Sequence, residues 1–155
     1  MKNAKIIGAF SGTGKSVVGA KYKRALDLDL GDYKFVYDED PSIPHEVRKA
    51  MKEYKINLEW PSNYIEAIEH NKPLYDIILV SYCPEIKDII DVYFTPKPSA
   101  WENLELRMRM RNNNEKYIAI TKARLGEKID FANTVTLGDD EYLEDALIRE
   151  GLLCT

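Results

Sequence analysis

Cysteine, histidine and long apolar runs are all scarce in this chain, and each shortage closes off a class of function. Its two cysteines, Cys83 and Cys154, stand far apart among 155 residues and lack any C-x-x-C spacing. Neither a disulfide framework nor a zinc site follows from them. The two histidines, His45 and His70, are single residues in polar segments. No apolar stretch reaches the roughly 18 residues that a bilayer-spanning helix needs, so no membrane association is expected. The chain runs from Met1 straight into a short strand, which leaves no room for the charged segment and apolar core of a signal peptide. A reducing, cytoplasmic setting is the expectation. An excess of positive charge is missing as well: 22 Lys and Arg against 26 Asp and Glu give a net charge of -4. That balance carries no strong signal for nucleic acid, whose backbone is met by surfaces rich in Lys and Arg.

What is present is the make-up of one folded domain. A hydrophobic fraction of 45% and a charged fraction of 31% sit near globular averages, and a chain of this length buries roughly two-thirds of its unfolded surface without a staple. Lys5–Phe10 is a short apolar run ending in small residues, the pattern of a buried strand. A glycine turn follows, then a helical pattern from Lys15 to about Ala25. Ala25–Leu30 alternates with period two, which predicts a strand with Asp27 and Asp29 on one face. Residues 31–61 are polar and broken by Pro41, Pro44 and Pro61. They read as an insertion, with one helix from about His45 to Tyr54. A helix opens at Pro61-Ser62-Asn63, and Tyr75–Ser81, continuously apolar in its middle, predicts a core strand covered on both faces. Beyond it the pattern gives a short helix over Pro84–Ile90, a strand over Val92–Thr95 and a helix from Pro98 to about Arg111. Asn112-Asn113-Asn114 breaks that helix, and a further helix (Glu115–Leu125), a strand (Thr134–Leu137) and a last helix (Asp139–Arg149) complete the chain. Strands and helices alternating at this spacing predict an α/β fold, a central parallel sheet with helices on both faces, in a single domain spanning 1–155.

The most specific motif is the glycine turn. Aligning G-x-x-x-x-G-K-[ST] on Gly14-Lys15-Ser16 puts Ala9 where the first glycine belongs, with Gly8 one place early. Gly12 and Gly14 permit dihedrals that turn successive backbone N–H groups inward around a phosphate at a helix N-terminus. Gly12, Thr13, Gly14, Lys15, Ser16 and Val17 are therefore the expected nucleotide-binding set. Lys15 would reach the terminal phosphates of ATP and the Ser16 hydroxyl would ligate Mg2+. A chance glycine turn is the plainer alternative, and the strand before it and the helix after it favour phosphate.

Other candidates follow from position. Strand ends beside the turn line a ligand crevice, which singles out Asp29, and behind it Asp27, for a metal-bound water or an acceptor hydroxyl; both could equally be solvated turn carboxylates, and Asp29 could cap the turn before Gly31. The core strand carries Asp76 at its beginning and Ser81 at its end, so a carboxylate at the catalytic edge, usual in P-loop hydrolases, is missing there. Arg107, Arg109 and Arg111 are spaced so that 107 and 111 share a helix face and 109 points elsewhere. Guanidinium forks suit phosphoryl oxygens, while a solvated helix face is the alternative. Lys122 and Arg124 are weaker candidates of the same kind. Trp60 and Tyr33 fall in loops where a ring could stack on a base, or simply pack.

In IIGAFSGTGKS, LDLDLGDYKF, WPSNYIEAI, YDIILVS, RMRMRNNN and GDDEYLEDAL, taken in this order along nearly the whole chain, the protein resembles the small P-loop nucleotide kinases of bacteriophages and prophages, relatives of nucleoside monophosphate kinases. The resemblance implies a three-layer P-loop fold with ATP and Mg2+ on the glycine turn, a small-molecule nucleotide acceptor beyond the second strand, and a lid over 101–122. It implies catalytic roles for Lys15, Asp29 as the acceptor-side acid, and Arg107 and Arg111 as lid arginines, with Ser16 at the metal. The expected activity is ATP-dependent phosphoryl transfer to a nucleoside monophosphate. A catalytically silent nucleotide-binding protein, such as a sensor or a phage factor acting on a host protein, and a small NTPase are the alternatives.

Overall fold

Where the sequence is continuously apolar the chain is extended and covered on both faces. In the computed structural model, which describes residues 3–10, 12–37, 42, 54–113, 115–125 and 133–153, the order is β1 (Lys5–Ala9), α1 (Lys15–Lys21), β2 (Ala25–Asp27), α2 (Gly31–Lys34), β3 (Phe35–Tyr37), β4 (Tyr54–Ile56), α3 (Ser62–Asn71), β5 (Ile77–Val80), β6 (Val92–Pro96), α4 (Trp101–Met110), α5 (Glu115–Leu125), β7 (Thr134–Leu137) and α6 (Leu143–Arg149). Single 3-10 turns at Pro84–Ile86 and Pro98–Ala100 lead into β6 and α4. No helix among the described residues is long and apolar enough to cross a membrane.

Five strands form one parallel sheet in the order β2-β5-β1-β6-β7. Successive residues of β1 and β5 point to opposite faces, as the pleat requires. Ile7, Ala9, Ile77 and Leu79 join Val18 of α1 and Leu143, Ala146 and Leu147 of α6 in one buried cluster. Ile6, Ile78 and Val80 join Tyr64 and Ile68 of α3 in the other. The unbroken apolar runs of the sequence are thus the inner strands of a sheet with helices on both faces. From β1 the chain crosses to β2 on one side, and from β6 it crosses to β7 on the other. The carboxyl ends of β1 and β6 therefore mark the point where the strand order reverses, the usual place for a ligand crevice in an open α/β sheet.

Several boundaries differ from the sequence expectation for local reasons. The first helix ends at Lys21 rather than near Ala25, because the Arg24 carbonyl accepts from the Asp76 N–H and draws the chain into the sheet. The second strand ends at Asp27 rather than Leu30. Leu28 N–H still donates to the Leu79 carbonyl, and the Asp29 carboxylate then accepts from Gly31 N–H at 3.0 Å and starts a turn. Asp27 and Asp29 do not share a strand face. The last helix begins at Leu143 rather than Asp139, since Gly138 and Glu141 close a turn on each other. Within the expected insertion 31–61, α2 is followed by a separate antiparallel pair, β3 and β4. The helix expected over His45–Tyr54 lies outside the described residues, apart from Tyr54, which opens β4.

Tyr64 ties the two layers next to the crevice. Its ring is fully buried and its hydroxyl donates to the Leu28 carbonyl at 2.8 Å, and burial pushes the phenol well above its ordinary pKa. Tyr64→Phe should lower unfolding stability by about 1–2 kcal/mol, since it removes a buried donor and strands a carbonyl. A urea midpoint equal to that of the parent would refute this. The bond matters locally because Leu28 immediately precedes Asp29.

Candidate functional site

The glycine turn leaves β1 at the reversal point and leads directly into α1. Gly12 has φ +80° and Gly14 φ +107°, a backbone region that L side chains rarely adopt. Thr13 between them is fully buried, and its hydroxyl donates to the Phe10 carbonyl at 2.7 Å. Its carbonyl accepts from Leu143 N–H at 2.9 Å. Thr13 thus clamps the turn from inside. Ser16 and Val17 are exposed on the first turn of α1. Val17 offers a backbone amide there, its side chain facing solvent.

Lys15 opens α1 and is half-buried, with Nζ donating to the Ala9 carbonyl at 3.3 Å. Burial pulls its pKa below the ordinary lysine value, Asp27 and Asp29 oppose that shift, and Arg111 adds to it. Two carboxylates and a second cation therefore act on this one ammonium. Asp27 is brought there by a close approach of α1 to β2: a Cβ on Gly19 would lie 2.8 Å from the Asp27 Cβ, and glycine alone leaves the room. One Asp27 carboxylate oxygen is shielded from solvent.

The arginines arrive from α4. Leu104 and Met108 on its inner face are buried, and each would lie 3.5 Å from a Cβ on Gly12. Between them Arg107 projects over the turn, its Nη1 donating to the Gly12 carbonyl at 3.4 Å across 95 residues of sequence. Its guanidinium lies 3.9 Å from the ring centre of Tyr142. Arg109 is turned away and pairs with Glu105 and Glu115, as 100° spacing requires. Arg111 caps α4 and is exposed, with its charge felt at Lys15. A shallow cleft lies between the turn and the ends of β6 and β7, lined by Thr13, Asn103, Arg107, Leu137, Asp139 and Glu141 among others.

The remaining candidates separate cleanly. Asp29 is exposed and its carboxylate is engaged with Gly31 N–H, yet its charge still reaches Lys15. Asp76 sits at the far edge of the sheet and pairs with Arg24 at 3.2 Å, a structural role. Ser81 follows β5, half-buried. Trp60 and Tyr33 pack on Tyr64, with ring centres 5.6 and 5.2 Å away, so these rings belong to the core rather than to an open stacking face. Lys122 lies over the Trp101 ring. Cys83 is buried, which pushes its thiol up to about 12 and leaves it inert as a nucleophile. Sequence reasoning missed Tyr142. The one available signal was an aromatic residue amid the acidic stretch Asp139–Asp145.

No protein-family model matches the chain, and no curated protein does. The chemistry must therefore be read from the residues. Among the described residues no group of three or more His, Cys, Asp or Glu is arranged to hold a metal ion. Magnesium on a nucleotide needs fewer protein donors, because phosphates and waters complete its shell. The exposed Ser16 hydroxyl beside Lys15, and Asp27 as the carboxylate acting most strongly on Lys15, are hard oxygen donors of the kind that ion takes.

Proposed function

We propose that the glycine turn is a P-loop that binds the terminal phosphates of ATP, and that the protein transfers a phosphoryl group from ATP to a small acceptor, a nucleoside monophosphate, in the manner of the phage-type nucleotide kinases it resembles. The observation that carries this is a turn built on two left-handed glycines, with Lys15 opening the helix behind it and the Arg107 guanidinium on its Gly12 carbonyl, while the charge of Arg111 is felt at Lys15. Asp27 and Asp29 offset part of the charge on Lys15, and the Arg107 guanidinium, on the Gly12 carbonyl and the Tyr142 ring, adds positive charge at the turn that an incoming anion would balance. A polyphosphate is such an anion, and the loop amides from Gly12 to Val17 supply neutral donors for the same oxygens.

The roles follow from phosphoryl-transfer chemistry, which asks a protein for positioning and charge stabilisation rather than covalent help. Lys15 would neutralise the terminal phosphates, and Arg107 and Arg111 would meet charge that develops on the transferred group. Magnesium, held by Ser16 with Asp27 behind it, would supply further charge neutralisation when bound. Asp29, beyond β2, would orient the acceptor. The phosphate of a monophosphate acceptor is already nucleophilic and needs no strong base.

Incubation with magnesium ATP and a panel of nucleosides and nucleoside monophosphates tests the proposal. Phosphorylated acceptor supports it. ATP binding without turnover would instead identify a silent nucleotide-binding protein, and acceptor-independent phosphate release an NTPase. Asp29→Asn should spare ATP affinity while lowering turnover with the acceptor. It keeps an oxygen acceptor for Gly31 N–H, so the turn survives and the lost charge is what is read. Equal weakening of ATP binding would move Asp29 to the metal side, and native kinetics would reduce it to a turn cap.

A further inference from the structure

The loop before α6 is more firmly built than an exposed connection needs to be. Leu143 N–H is held by the Thr13 carbonyl at 2.9 Å, and Tyr142 N–H by the Asp145 carboxylate at 3.2 Å. Gly138 N–H is held by Glu141, whose carboxylate is gripped in turn by Arg149 at 2.8 and 3.0 Å. The backbone on either side of Tyr142 is thereby tied both to the glycine turn and to its own helix. Its ring stands beside the turn, with Cδ1 3.8 Å from where a Gly14 Cβ would be, and is nonetheless half exposed, at 48%. A large aromatic ring left in solvent on a fixed loop is an odd choice for packing. The guanidinium of Arg107 lies over it, 3.9 Å from its centre.

A guanidinium lying face-on to a ring keeps its N–H edge free for other partners, unlike one paired to a carboxylate. Arg109, two residues on, shows the contrast, since Glu105 and Glu115 occupy its donors. Arg107 instead lies on the Tyr142 ring and donates to the Gly12 carbonyl, both uncharged partners, although Asp139 and Glu141 line the same cleft. An arginine needed for an incoming anion has to be held without being neutralised. An aromatic platform does this, where a glutamate would compete with the anion.

We infer that Tyr142 is a positioning residue, whose ring holds the Arg107 guanidinium over the glycine turn with its hydrogen-bonding edge available to the phosphoryl group. This rests on the phosphoryl-transfer function proposed above. The ring does the positioning, so the hydroxyl is dispensable, and the effect runs entirely through Arg107.

The test is a double-mutant cycle on the full chain, with magnesium ATP as ligand. Tyr142→Leu should lower kcat by about tenfold, with KM for ATP little changed, the range expected for loss of a partly exposed cation–π contact. Tyr142→Phe should recover most of that loss. In an Arg107→Ala background Tyr142→Leu should cost nothing further. A parent-like kcat for Tyr142→Leu would overturn the inference, as would an undiminished loss in the Arg107→Ala background or a Tyr142→Phe as poor as the leucine variant. Should the parent bind magnesium ATP but transfer nothing, the cycle is read in the dissociation constant. Non-additive losses there support positioning, and additive ones overturn it. A parent that does not bind magnesium ATP at all overturns the proposed function and this inference together, a result separable from variants that fail on a parent that works.

Discussion

Lys15→Ala should leave a folded protein that has lost nearly all affinity for magnesium ATP and any transfer activity. Among the described residues the ammonium is bonded only to the Ala9 carbonyl, at 3.3 Å, a weak contact that a phosphate oxygen would readily replace. Leaving a bound, desolvated polyphosphate without its cation costs about 3–5 kcal/mol, or at least a hundredfold in Kd. The unliganded protein should move the other way. Burial lowers the Lys15 pKa against the pull of Asp27 and Asp29, so the charged form is less favourable in the folded than in the unfolded chain. A group with a depressed basic pKa lowers stability while it is charged in the unfolded state, and that penalty fades as pH rises through the folded pKa toward the unfolded one. Lys15→Met, which keeps the aliphatic length, should therefore be at least as stable as the parent near neutral pH while binding no ATP. Calorimetric titration and a thermal melt of the same sample check both halves. Unchanged ATP affinity removes the phosphate-binding role of the turn, and a large fall in melting temperature would make Lys15 a structural residue.

How far the sequence could be read depended on the scale at which each signal is written. Tyr75–Ser81 announced an inner strand because burial on both faces demands an unbroken apolar run, and Ile77–Val80 fills that place. Glu115–Leu125 was legible because Asn112 and its neighbours isolate it, and Asn112 does take a left-handed φ of 60°. The antiparallel pair Phe35–Tyr37 and Tyr54–Ile56 was not legible, since three residues are too few to establish a period. Leu28–Leu30 misled for the converse reason. Alternation continued past the point where the Asp29 carboxylate found a backbone N–H and turned the chain. At the site, the turn and the split between Arg107 and Arg109 follow from local spacing. The Tyr142 platform does not, because it depends on α4 and the loop before α6 meeting over Gly12, a juxtaposition that lives in the tertiary fold alone.

Arg107→Ala should reduce turnover by about 10³-fold or more while weakening magnesium ATP binding much less, because the contact it makes with transferring phosphate strengthens as charge develops in the transition state. The unliganded geometry already points this way. Among the described residues the guanidinium donates only to the Gly12 carbonyl, at 3.4 Å, a long bond that leaves most of its five donors for a ligand. Arg107→Lys separates charge from geometry: a lysine keeps the cation but loses both the fork and the planar stack on Tyr142, so it should recover only a small part of the loss. Arg111→Ala should act in the same direction, through its proximity to Lys15. The lid expected over 101–122 then takes a more particular form. Leu104 and Met108 are buried under Gly12, so the inner face of α4 is anchored to the turn, and ordering on binding should concentrate at its exposed end, from Arg109 to Asn113. Methionine at 108 can follow small shifts of the turn without leaving a void. Hydrogen exchange with and without magnesium ATP should slow in that stretch and hardly change at Leu104. Normal turnover in both arginine variants, with exchange there indifferent to nucleotide, would reduce α4 to a packed surface helix and leave the glycine turn as the kinase proposal's only support.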